Sequence, residues 1–317
     1  MSSSKTLRQI LNESKKCFLV PCTYDCASNH AMEMCGYPVT LLSGGEVSIS
    51  MNGVIDYGFT NLTDLEWMTS RVATTSSVPL ICDIEDGFGG PLAVYRSAKR
   101  LAAAGAAAVQ LEDADDMEES TGILPREKYM AKIRAALEAL KGTDCMLIAR
   151  TNADPADAVM MQEGCERLKE AQDLGAELAM MVKVTTPEYA AQMAKIVTGK
   201  KIFADVRADA GVAAITMEQL TELGFVMCST HFTMKAAMEA MLVHGKANFE
   251  NQSVAYTFTH AEATGDMGFS ATPMFDPQSY MSLENKFTQN EKVYTIVGNA
   301  VADYPEGFCR PEIKDRL

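Results

Sequence analysis

With 317 residues, a formal charge of −14 and 42 acidic against 28 basic side chains, this chain is ill suited to nucleic acid, whose phosphates need clustered Lys and Arg. Hydrophobic residues make up 47% of the composition, enough for a large core, and no apolar run approaches the roughly 18–20 residues that span a bilayer. The opening MSSSKTLRQILNESKKCFLV lacks the pattern of a secretory signal, and nine cysteines without CxxC spacing read as reduced thiols, so a cytoplasmic location is expected.

In chain order, eight short apolar runs read as buried strands: residues 18–21, 39–43, 79–83, 107–112, 146–150, 178–182, 202–205 and 225–229. Helical spacing fills intervals between them, as at 92–104, 126–140, 157–174, 187–197 and 217–223. Gly105, Gly175 and Gly224 each fall between a helical pattern and the next strand, where a left-handed helix stop forms readily. Eight alternating units predict an α/β fold, a (β/α)8 TIM barrel rather than an open sheet. The barrel domain is expected over residues 1–248. Residues 249–317, where the alternation fails, are expected to form a helical and loop extension that packs on a neighbouring subunit.

Charges close several of the apolar runs. Asp83 and Glu85 lie in PLICDIEDGFGG, Glu112 in AAVQLEDAD and Arg150 in MLIARTNAD. Strand ends of a barrel converge on one mouth, where carboxylates can hold a hard divalent cation and an arginine can face an anion. The pattern therefore reads as a metal-dependent enzyme acting on a small carboxylic acid. Each motif also has a plainer reading. The DxE segment reads equally as a solvated loop and Asp113 as a helix N-cap. Ser43-Gly44-Gly45 reads as a tight turn, although its backbone N–H groups would suit a carboxylate or enolate oxygen. Lys183 and Arg207 either add positive charge to the mouth or pair with surface acids. The pairs Met160-Met161 and Met180-Met181 read as core filler.

The segments LLSGGEVS, ICDIEDGFGG, QLEDA and IARTNAD, in this order and separation, resemble the isocitrate lyase/phosphoenolpyruvate mutase superfamily over nearly all of residues 17–246. The resemblance implies a (β/α)8 barrel, a homotetramer that exchanges a C-terminal helix, and Mg²⁺, with Mn²⁺ as the substitute. By motif position it implies that Asp83 binds the metal directly and that Asp56, Glu85 and Glu112 hold its water shell. Ser43, Gly44 and Gly45 match a carboxylate cradle, Arg150 the substrate arginine, and Tyr24 of TYDCAS an aromatic near the pocket.

Departures narrow the resemblance. The isocitrate and methylisocitrate lyases carry KKCGH or KRCGH after the ED pair. This chain reads EDADDMEESTGILPRE, with no cysteine and Ser120 near its place. The Lys and the Asn-Ser pair of phosphonate-forming mutases are also missing. The chain thus resembles most the oxaloacetate decarboxylase-like branch, in which His231 of FVMCSTHFTMKAA matches a pocket histidine; its plainer reading is a cap on the last helix. The expected reaction is cleavage or decarboxylation of a small 2-oxo or 2-hydroxy (di)carboxylate through a metal-stabilised enolate, with protonation by His231, Tyr24 or water. Phosphonopyruvate or phosphoenolpyruvate chemistry and a catalytically idle carboxylate sensor are the alternatives. Neither nucleic acid nor membrane is an expected partner.

Overall fold

All eight strands form, in a computed structural model that describes residues 5–114, 122–206, 208–209, 212–260, 275 and 277–288. They are β1 (Phe18–Thr23), β2 (Thr40–Leu42), β3 (Leu80–Asp83), β4 (Ala108–Glu112), β5 (Met146–Thr151), β6 (Leu178–Met181), β7 (Lys201–Ala204) and β8 (Phe225–Thr230). Every pairing is parallel and runs between chain neighbours, and β1 closes the ring against β8 with Phe18 opposite Met227 and Pro21 opposite Thr230. The fold is a (β/α)8 TIM barrel. A short antiparallel pair, Ala208–Asp209 with Val212–Ala213, follows β7 outside the ring.

Side-chain alternation divides the core in two. Val20, Cys22, Leu41, Ile81, Ala108, Ile148, Met180, Ile202 and Met227 fill the inside of the barrel. The residues between them, such as Leu42, Cys82, Leu111, Leu147, Met181 and Phe203, face outward against the helices. Each large apolar side chain so buried contributes about 1.5–3 kcal/mol, and the outer layer holds the greater share of them. Met161, Met180 and Met181 are core residues, as the sequence suggests.

The outer helices follow their local signals. Helix α5 (Pro91–Ala103) starts on Pro91, α6 (Arg126–Leu140) follows Pro125, α7 (Ala158–Leu174) is capped by Asp157, and α8 (Pro187–Ile196) by Thr186. Gly105, Gly175 and Gly224 take φ of +104°, +127° and +78°, so the left-handed stops form where expected. Ahead of the barrel, α1 (Leu7–Glu13) sends Leu7 and Leu11 into the inner core. Arg8 pairs with Glu177 before β6, and Lys200 before β7 reaches Asn12 at 2.9 Å, so α1 closes the end where the strands begin.

The last barrel helix, Thr233–Asn251, runs through residue 248, and Ala255–Thr259 and Pro277–Thr288 are the helices described after it. Ser120 and Arg207 lie outside the described residues. Among the described residues all eight cysteines are free, six of them buried, which fits reduced thiols. No described helix is long and apolar enough to cross a membrane.

Candidate functional site

The alternation that fills the barrel also aims its charges. Positions two apart along β3, β4 and β5 share a face, so Asp83, Glu112 and Arg150 point inward above Ile81, Ala108 and Ile148. Arg150 Nη1 lies 3.0 Å from Asp83 Oδ2 and Nη2 lies 2.7 Å from Glu112 Oε2. Asp83 and Glu112 are each only 7% exposed, which removes the solvated-loop reading of the DxE segment.

Glu85 completes the group from a bent loop. Its φ of +49° is in the left-handed region and costs about 1–3 kcal/mol, which the neighbouring backbone offsets. Glu85 N–H donates to Asp83 Oδ1 at 3.1 Å, and Glu85 O accepts from Glu112 N–H at 2.9 Å. Lys132 of α6 holds the next residue, donating to Asp86 O at 2.8 Å and to its carboxylate at 3.0 Å. Gly44 is required by contact rather than by φ, since a Cβ there would fall 1.7 Å from Glu85 Oε1. A Cβ on Gly45 would fall 2.9 Å from Asp56 Oδ2, which brings Asp56 to the same place.

Four carboxylates therefore face one guanidinium. The charge on Asp83, then burial, then Glu112 and Asp56 push the Glu85 carboxyl up to about 9. Burial also raises Glu112, opposed by Arg150. For Arg150 burial works to lower the pKa, but Glu112, Asp83, Glu85 and Asp56 together outweigh it and hold the guanidinium firmly charged. Glu85 Oε1, Arg150 Nε and Asn152 Oδ1 are buried without a hydrogen-bond partner. Hard oxygen donors in charge excess, with an orphaned carboxylate oxygen among them, fit a divalent cation. Among the described residues no three His, Cys, Asp or Glu side chains converge closely enough to ligate an ion directly. The arrangement suits one direct carboxylate with the others reached through water.

The remaining candidates surround this group. Ser43 is not part of a tight turn but the N-cap of α3 (Gly44–Val47), accepting from Glu46 N–H at 3.4 Å. Gly44 and Gly45 thus form a first helical turn, whose N–H groups have no intrahelical partner. Tyr24 is half-buried, and its pKa is raised by burial and by Asp25 and Glu46. His231 does not cap the last helix, where Phe232 is the N-cap without a side-chain bond. Its N–H meets Asp205 at 3.4 Å, and its ring lines a cavity of about 550 Å³ with Ser43, Gly45, Glu46 and Asp56. The residue is exposed overall, and partial desolvation of its ring lowers its pKa. Lys183 is exposed.

Three residues were missed or misread in sequence. Asp113 caps no helix; it is fully buried against Arg167 at 2.6 Å. Asn152 donates to Glu112 Oε2 at 3.0 Å. Glu46 lies 3.3 Å from Thr233 Oγ1, whose own proton goes to Cys22 O at 2.5 Å. No pattern in one sequence announces these pairs.

Burial pushes Glu46 up to about 7 from its ordinary 4.5. A carboxyl held neutral in the fold adds stability below its unfolded pKa, and that stability is lost as pH rises through the folded value. Glu46→Gln cannot ionise. Urea unfolding from pH 4.5 to 8 is expected to show wild type losing about 1–2 kcal/mol relative to Glu46→Gln after allowance for solvent screening. Parallel pH profiles for the two proteins would refute it.

Barrel, acidic mouth and central arginine together place the chain among the barrel enzymes. The chain belongs to the phosphoenolpyruvate phosphomutase family, whose model matches residues 7–247. It is 31% identical over 189 residues to an oxaloacetate decarboxylase of Pseudomonas putida (strain GB-1), covering 58% of this chain and 64% of that protein, less than two thirds of its length. It is 29% identical over 248 residues to the petal death protein of Dianthus caryophyllus, covering 76% of each. A crystal structure of phosphonopyruvate hydrolase in complex with oxalate and Mg²⁺ superposes with a TM-score of 0.77 at 21% identity, covering 90% of this chain and 99% of that one. At that identity the likeness speaks for the fold.

Proposed function

We propose that this chain is a divalent-cation-dependent lyase or decarboxylase that breaks a carbon–carbon bond in a small 2-oxo or 2-hydroxy carboxylate, leaving a pyruvate-like product. The observation that carries the reading is the set of four carboxylates gathered around one half-buried arginine at the barrel mouth. Asp83, Glu85, Glu112 and Asp56 would hold Mg²⁺ or Mn²⁺. The cation would supply Lewis acidity, drawing electron density from the bond that breaks. Arg150 would hold the substrate carboxylate, and the Ser43-Gly44-Gly45 backbone would meet its oxygens. Tyr24, whose raised pKa keeps its proton, or His231 would return a proton to the carbon left electron-rich by cleavage. The name of the oxaloacetate decarboxylase relative supports an oxo-dicarboxylate as substrate.

A homotetramer in a reducing cytoplasm belongs to the same proposal, with residues 249–317 as the extension that packs on a neighbour. Exposed Met241 and Leu242 on the last barrel helix support an oligomer. The decisive assay follows pyruvate from oxaloacetate, 2-methylisocitrate, dimethylmalate and phosphonopyruvate, with Mg²⁺ present or chelated. Cation-dependent pyruvate without phosphate release is expected from one of the first three. Phosphate from phosphonopyruvate would replace the reading with phosphonate chemistry, and ligand binding without turnover would replace it with a sensor.

A further inference from the structure

Glu112 and Asp113 are adjacent, so strand alternation sends them in opposite directions: Glu112 into the mouth, Asp113 out toward α7. On the outer side Asp113 Oδ2 meets Arg167 Nη1 at 2.6 Å and accepts from Thr151 Oγ1 at 2.6 Å. Its other oxygen accepts from Asn152 N–H at 2.8 Å. Asn152 Nδ2 then donates at 3.0 Å to Glu112 Oε2, the oxygen that Arg150 Nη2 reaches at 2.7 Å. Arg167 is itself held by Glu163 at 2.7 Å and donates to Leu124 O at 3.2 Å.

We propose, resting on the cation reading above, that Arg167 is a positioning residue that aims Glu112 at the cation through Asp113 and Asn152. The argument is one of charge and geometry. Asp113 is fully buried and Arg167 only 3% exposed, so neither is screened by water. With Arg167 present, the outward carboxylate is neutralised and only Glu112 offers its charge to the mouth. Without it, Asp113 keeps a hydroxyl and an amide as donors, too little to hold a buried charge. The carboxylate, left without its ion-pair partner, turns from this position, which loosens the Asn152 backbone anchor and with it the amide that fixes Glu112. Partners at this remove typically change metal affinity by 10–100-fold.

The test is Mn²⁺ binding, followed by the loss of the free-ion electron paramagnetic resonance signal, on full-length protein without substrate. Arg167→Met is expected to raise the Mn²⁺ dissociation constant about tenfold. Arg167→Lys, which keeps the charge but not the fork, should stay within about threefold of wild type. Leu168→Ala, a core change in the same helix, should lower the melting temperature while leaving Mn²⁺ affinity unchanged. Asn152→Ala should reproduce the Arg167→Met loss, and the double variant should lose no more than either single one. Should Arg167→Met fail to fold, Asn152→Ala and Arg167→Lys carry the test. Unaltered affinity in Asn152→Ala, unaltered affinity in a folded Arg167→Met, an equal loss in Leu168→Ala, or a full tenfold loss in Arg167→Lys would overturn the role of Arg167. A wild-type protein that binds no Mn²⁺ would overturn the cation reading, and this role with it.

Discussion

Asp83→Asn is expected to reduce cation-dependent turnover by about a hundredfold to a thousandfold while leaving the cation-free protein at least as stable as wild type. Asparagine keeps the shape but has one acceptor oxygen where the aspartate uses two, so it can keep either the Arg150 bond at 3.0 Å or the Glu85 N–H bond at 3.1 Å. What it removes is a negative charge, the largest of the repulsions that raise the Glu85 pKa. A structural carboxylate behaves differently, because its neutralisation strands its partner. Turnover measured with saturating Mg²⁺, beside urea unfolding in chelator, separates the cases. Near wild-type turnover would remove Asp83 from the cation site; a marked loss of stability in chelator would make it a structural residue.

Arg150→Met should act in the opposite direction on stability. The guanidinium is the positive charge common to Asp83, Glu85, Glu112 and Asp56. Breaking a buried ion pair by removing one partner costs about 3–5 kcal/mol. That loss is expected in chelator, and millimolar Mg²⁺ should recover part of it, since a divalent ion can take the place of the lost charge among the carboxylates. Turnover should stay abolished even when stability returns, if Arg150 holds the substrate carboxylate as proposed, because a cation cannot replace its planar fork. An Arg150→Met protein as stable as wild type in chelator would show that the carboxylates do not depend on its charge.

The fold was legible because parallel strands buried on both faces read as continuous apolar runs, such as LIC before Asp83 and MLIA before Arg150. The site was legible to the extent that its charges end those runs. Helix α4 (Leu62–Thr75) was not among the predicted helices, since its Thr and Ser residues are weak helix formers; its start depends on Asn61 and Asp64 capping one another. The last barrel helix, Thr233–Asn251, is rich in Met, Ala and Leu around much of its circumference, which blurs the stripe that marks a surface helix. Asp113 was misread because an acid after a strand matches a cap as well as an ion pair, and Arg167 lies 54 residues away. The plainer tight-turn reading of Ser43-Gly44-Gly45 fails because the two glycines open a short helix and make room for Glu85 and Asp56.

Helix α1 gives the barrel a closed floor. With Leu7 and Leu11 seated beneath the packed inner core, the described residues leave no passage through the floor, and the mouth at the other end is where the site opens. Whatever enters to react and whatever fragments depart must pass the same rim, so the later-leaving product blocks the next arrival. That traffic rule predicts product inhibition competitive with substrate, set by the architecture of the floor as much as by the chemistry above it.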